Sequence, residues 1–205
     1  MIDLYTWKTP NGYKIPIMLE EIKLPYKVHA IDISLRDQFK PKYLKINPNN
    51  KIPAIVDKDG PGHKALTLFE SGAILYYLAE KSGKLLPKNL HERAKVMQWL
   101  MFQMSGVGPM LGQAHHFLHY APKKVPYGIE RYTNEAKRLY GVMNKHLAKN
   151  KYFADSYSIA DIAIYPWIVY HEKQNINLKN YPHVRRWFKM IGERPAVKKG
   201  MQIPG

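Results

Sequence analysis

Strand-like sequence in this chain stops near residue 69, and beyond residue 90 only helical patterning remains. Residues 1–6 (MIDLYT) alternate with Ile2 and Leu4 on one face, as a half-buried strand does. KTPNG at 8–12 is a turn, and Ile15, Met18, Leu19 and Ile22 then recur at helical spacing. Residues 26–31 return to strand character, and a short helix is expected around 42–46. KIPAIVD at 51–57 and KALTLF at 64–69 read as strands joined by a Gly/Pro-rich hairpin, and Glu70-Ser71-Gly72 opens a helix. Helical patterns follow at roughly 91–119, 126–149, 159–171 and 181–192. The expected architecture is therefore an α/β domain over 1–81, a Ser/Gly/Lys/Pro-rich linker over 82–90, and an all-helical domain over 91–205.

Composition narrows the chemistry. There is no cysteine, which removes disulfides, thiolate metal sites and any cysteine nucleophile. Sulfur chemistry, if present, must come from a ligand. No apolar run approaches the ~18–20 residues of a membrane helix, and MIDLYTWKTP lacks the pattern of a secretion signal, so a cytoplasmic location is expected. The formal net charge of +16 raises the question of nucleic acid. Its cations are mostly Lys spread from Lys8 to Lys199, with no zinc-finger spacing and no RNP-type signature. A basic surface that attracts small anions is the expected reading, with no specific nucleic-acid partner and no membrane partner.

Two short motifs carry the functional reading. Lys51-Ile52-Pro53-Ala54 places a proline at the start of a strand, where it cannot donate to the ladder and often follows a cis bond. Such a bond would turn the Ile52 backbone outward to pair with an extended peptide ligand. Glu70-Ser71 opens a helix, where a hydroxyl, an amide and the helix dipole favour a carboxylate. Either motif alone is explained as a turn proline or a helix cap. Together, in this strand order, they make a peptide rail beside an anion socket.

Asn49-Asn50-Lys51-Ile52-Pro53-Ala54 and Phe69-Glu70-Ser71-Gly72-Ala73-Ile74 resemble the thioredoxin-like domain of glutathione transferases, and the helical half resembles that family as well. Ser158-Ile159-Ala160-Asp161 is similar to the capping box of its central carboxy-terminal helix, a device for folding and not for catalysis. Thr9-Pro10-Asn11-Gly12-Tyr13-Lys14 looks like the T-P-N-G-x-K signature of the bacterial nu class, whose members reduce disulfides.

The resemblance implies a glutathione ligand whose sulfur faces Thr9 and Asn11. Both donate hydrogen bonds and neither is a base at neutral pH, so they would stabilise a thiolate without abstracting its proton. It further implies Gln38 and Lys51 near the ligand's glycine end, Ile52 and Pro53 along its backbone, Glu70 and Ser71 at its γ-glutamyl end, and Arg131 reaching a carboxylate. A homodimer and a small disulfide or electrophile as second substrate are also implied. Conjugation to electrophiles, peroxide reduction and a non-catalytic regulatory role remain open beside disulfide reduction. His115 and His119 stand one helical turn apart with His116 between them, but no third ligand or His-Glu-x-x-His motif accompanies them, and no metal is expected. Tyr5, inside the first strand, reads as a packing residue.

Overall fold

The computed structural model describes all 205 residues. Four strands, β1 (Ile2–Thr6), β2 (Tyr26–Ala30), β3 (Ala54–Asp57) and β4 (Leu66–Phe69), form one sheet in the order β2-β1-β3-β4. β1 runs parallel to β2 and antiparallel to β3, and β3 runs antiparallel to β4. The parallel pair needs a crossover, which α1 (Pro10–Ile22) supplies. α1 starts where Thr9 adopts an extended backbone and its hydroxyl accepts from Gly12 N, with Pro10 pre-set for the first turn.

Period-two alternation assigns the sheet faces. Ile2, Leu4 and Thr6 are fully buried, and Thr6 donates to the Gly12 carbonyl at 2.8 Å, so their face meets α1. Tyr5 points to the other face, where it stacks on His29 at 4.6 Å and meets Tyr43 of α2 (Pro41–Leu44), in keeping with a packing role. α3 (Ser71–Ser82) packs beside α1 through Ile74, Leu75 and Leu78.

The compact units differ from the expected domains. One comprises Met1–Leu86 together with Arg194–Gly205, the other Pro87–Glu193. The sequence expectation is 1–81, 82–90 and 91–205, whereas by compactness the final segment groups with the first unit. That segment forms α9 (Pro195–Gly200) and lies along α1. A Cβ on Gly200 would stand 2.6 Å from the backbone of Ile17, so only glycine permits this approach. Arg194 makes a two-pronged ion pair with Glu21 at 2.7 and 2.9 Å, and Lys199 meets Glu20 at 2.9 Å. With the sheet on one side and α9 on another, α1 is buried at every position from Gly12 to Leu19.

The helical unit holds α4 (Leu90–Phe102), α5 (Gly108–His115), α6 (Pro126–Leu147), α7 (Ile159–Ile168) and α8 (Pro182–Gly192). The expected helix over 91–119 is divided by a π-type turn at Gln103–Val107 and ends in another at His116–Tyr120. α7 is buried throughout and begins with the predicted capping box. Phe153 links Trp99 at 5.1 Å to Trp187 at 5.0 Å beside it. No helix is long and apolar enough to cross a membrane.

Candidate functional site

The sheet register gathers the sequence motifs of the α/β unit at one edge. Thr6 pairs with Ala30, Tyr5 with Ala54, and Ala54 with Phe69. The carboxyl ends of β1, β2 and β4 therefore coincide with the amino end of β3. From that edge spring the Thr9–Asn11 turn, the 31–40 segment holding Gln38, the Lys51–Pro53 segment, and Glu70–Ser71. Loops leaving the carboxyl ends of neighbouring strands are a common place for ligands in α/β folds.

Each part is locally built. The turn before α1 is tight: a Cβ at Gly12 would lie 2.0 Å from the Trp7 carbonyl, which makes glycine obligatory. The Gly12 bond uses a lone pair of the Thr9 hydroxyl and not its hydrogen. Asn11 follows in the first turn of α1 and is partly exposed. The Lys51 carbonyl is held by the Tyr43 hydroxyl at 2.5 Å and Asn47 Nδ2 at 2.7 Å. The Ile52–Pro53 bond is cis, and the ladder begins only at Ala54. Gln38 sits in a 3₁₀ turn after Arg36, and its Oε1 is buried without a hydrogen-bond partner.

Glu70 precedes α3 with φ 68° and ψ 111°, a conformation that side chains rarely adopt and that collects at functional sites. Ser71 opens α3, nearly buried, and its hydroxyl accepts from Lys14 Nζ at 3.2 Å. Lys14 has no exposed surface. Burial pushes its ammonium down to about 7, while the Glu70 carboxylate pulls it up. In the sequence Lys14 stands out only as the last residue of Thr9-Pro10-Asn11-Gly12-Tyr13-Lys14. A signal was available, since a lysine one helical turn before Met18 falls on the apolar stripe of α1.

Residues 1–80 match the family model described as "Glutathione S-transferase, N-terminal domain", and residues 117–195 match the "Glutathione S-transferase, C-terminal domain" model. The chain belongs to the glutathione S-transferase family. It is 51% identical over 203 residues to the disulfide-bond oxidoreductase YfcG of Escherichia coli K12, covering 98% of this chain and 94% of YfcG. A glutathione transferase structure from Pseudomonas putida, with one glutathione disulfide bound per subunit, superposes with TM-score 0.96 at 47% identity, covering 100% of this chain and 92% of the other. A family member from Pseudomonas fluorescens, with two glutathione bound, gives 0.94 at 48% identity, covering 99% and 93%.

The remaining residues singled out from sequence lie in the helical unit of this transferase. Arg131 is on α6 beside Tyr132, in an open cleft of about 660 Å³ that also holds Tyr127, Glu135 and Arg138. His115 is buried near Trp167 and Tyr170, and burial, with His119 nearby, lowers its pKa. His119 Nε2 instead meets the Lys173 carbonyl at 2.8 Å, and His116 packs edge-on against Phe117. No three His, Asp, Glu or Cys side chains converge as a metal site would require.

Proposed function

We propose that this protein is a glutathione-dependent disulfide-bond reductase. The carrying observation is the convergence of the Thr9–Asn11 turn, the Ile52–Pro53 segment and Glu70–Ser71 on one sheet edge. Similarity to YfcG, a disulfide-bond oxidoreductase, supports the same reading, and so do relatives that hold one glutathione disulfide or two glutathione molecules.

In this reading the γ-glutamyl carboxylate meets Ser71 at the head of α3, and Glu70 takes the ligand's ammonium. The ligand backbone pairs along Ile52, and Gln38 and Lys51 serve its glycine end. Thr9 and Asn11 donate to the sulfur and favour its thiolate, which raises the population of the nucleophile. The thiolate attacks one sulfur of a small disulfide, forming a mixed disulfide and expelling the other half as a thiolate. A second glutathione thiolate then attacks the glutathione sulfur of that mixed disulfide, yielding glutathione disulfide and the second substrate thiol. The chain has no cysteine, so every sulfur that reacts in these steps belongs to glutathione or to the disulfide substrate. Arg131 is assigned to a ligand carboxylate, and the protein to a cytoplasmic homodimer.

The test is turnover of 2-hydroxyethyl disulfide with glutathione, coupled to glutathione reductase, beside conjugation of chlorodinitrobenzene. Fast reduction with feeble conjugation is expected, and the reverse makes the protein a conjugating transferase. Silence in both assays with glutathione still bound points to a regulatory protein. Thr9→Ala and Asn11→Ala should each lower reduction by roughly 10–100-fold with glutathione affinity nearly kept, the worth of one hydrogen bond to a charged group. Unchanged turnover removes both residues from this role.

A further inference from the structure

A trans peptide unit is planar, so its carbonyl and the N–H that follows share one plane and point in opposite directions. Whatever fixes the oxygen therefore aims the N–H. In the trans Lys51–Ile52 unit the oxygen is fixed twice. The Tyr43 hydroxyl donates to it at 2.5 Å and Asn47 Nδ2 at 2.7 Å, which together occupy the two lone pairs of a carbonyl. The other end of the same plane is the N–H of Ile52, a partly exposed residue. That N–H has no partner within the chain: β3 pairs with β1 only from Ala54 onward, and no turn or loop bond ends on it.

We infer that Tyr43 and Asn47 are positioning residues for the peptide rail: acting through the Lys51 carbonyl, they aim the Ile52 N–H at a carbonyl of the ligand and strengthen it as a donor. The inference rests on the glutathione reading above. It assigns the acceptor as the carbonyl of the ligand's cysteinyl residue, the one beside the rail in that reading.

The clamp is built from buried parts. Tyr43 is 3% exposed and Asn47 1%, so both act behind the rail and not on the ligand. The Tyr43 ring packs 6.1 Å from that of Tyr5, on the sheet face away from α1. Asn47 lies four residues on, with its own N–H bonded to the Tyr43 carbonyl at 2.9 Å. Its Oδ1 accepts from Asn49 N at 2.9 Å, which fixes the sense of the side-chain amide and leaves Nδ2 to face Lys51. One donor would brace the turn, whereas two on the same oxygen also fix the tilt of the peptide plane. Donors on a carbonyl polarise the whole amide, and bonds in such a chain strengthen one another by roughly 10–30% each. The Ile52 N–H is thereby aimed and made a better donor at once.

The test follows the Ile52 amide proton by nuclear magnetic resonance while S-methylglutathione is titrated, beside calorimetric affinity. In the wild type that proton should move downfield on binding, as a proton entering a hydrogen bond does. Tyr43→Phe keeps the ring and removes one donor; it should weaken binding about 3–10-fold, the worth of one hydrogen bond, and shrink the Ile52 shift. Asn47→Ala, which removes the other donor, should do the same. Residues that only brace the fold would lower the melting temperature and leave the affinity and the Ile52 shift of the folded protein unchanged. That outcome overturns the inference and leaves the glutathione site intact. An Ile52 proton that stays in place while the wild type binds also overturns it, whether or not the variants fold. Failure of the wild type to bind S-methylglutathione overturns the glutathione site and the inference together.

Discussion

Lys14 in the α/β unit and Asp161 in the helical unit are both charged side chains with no exposed surface, yet their surroundings differ. Asp161 is caged by donors: Phe153 N and Trp187 Nε1 reach one oxygen at 3.2 and 2.8 Å, and Ser158 N and Oγ reach the other at 3.1 and 3.4 Å. Burial still pushes its carboxyl up to about 6, with Trp187, Phe153 and Ser158 pulling it down. Lys14 instead meets Ser71 at the sheet edge where the ligand motifs gather. One charge ties a helix cap to the aromatic core. The other is buried at the head of α3, within the field of the Glu70 carboxylate. The difference separates a buried charge whose carboxylate is met on both oxygens from one whose burial pulls it toward its neutral form.

Removing the Asp161 cage should have the largest effect. Asp161→Ala leaves the Phe153 and Ser158 amides and the Trp187 indole without their acceptor, and should lower stability by on the order of 3–5 kcal/mol in denaturant titration. A loss under about 1 kcal/mol would remove the distinction between the two sites.

Lys14→Met should act in the opposite direction, raising the stability of the unliganded protein by about 2 kcal/mol at pH 7. The wild type should also gain stability as pH rises above about 7 toward the ordinary lysine value of 10.5, since the unfolded chain then binds the proton that folded Lys14 has released. Lys14→Met should lack that slope in thermal melts across the same pH range. Ser158→Ala should be the smallest change, about 1 kcal/mol for one lost cap, read by the same titration.

Much of this was legible in sequence because it rests on local chemistry. Thr9-Pro10 fixes the start of α1, Ser158 and Asp161 cap α7, and the motifs at 51–53 and 70–71 mark the ends of strands. The burial of Lys14 is hard to read, because lysine ordinarily sits in solvent and its partner Ser71 stands 57 residues away in the sequence. α9 was missed since Pro195–Gly200 is short and ends in Lys198-Lys199-Gly200, which reads as a basic tail. Its place depends on contacts with Ile17, Glu20 and Glu21, more than 170 residues earlier. The π-type turn at Gln103–Val107 likewise leaves no mark on apolar spacing, because one extra residue per turn is absorbed within a long helical pattern.

The packing of α9 on α1 also sets an order of assembly. Residues 1–86 leave the ribosome first, but the groups that cover Ile17 and pair with Glu20 and Glu21 emerge only after Pro87–Glu193 has been made. At ~5–20 residues per second, that interval lasts roughly 5–20 s. During synthesis the helix carrying Asn11 and Lys14 is therefore an unfinished surface, and the α/β unit reaches its final form only when a distant stretch of message has been read.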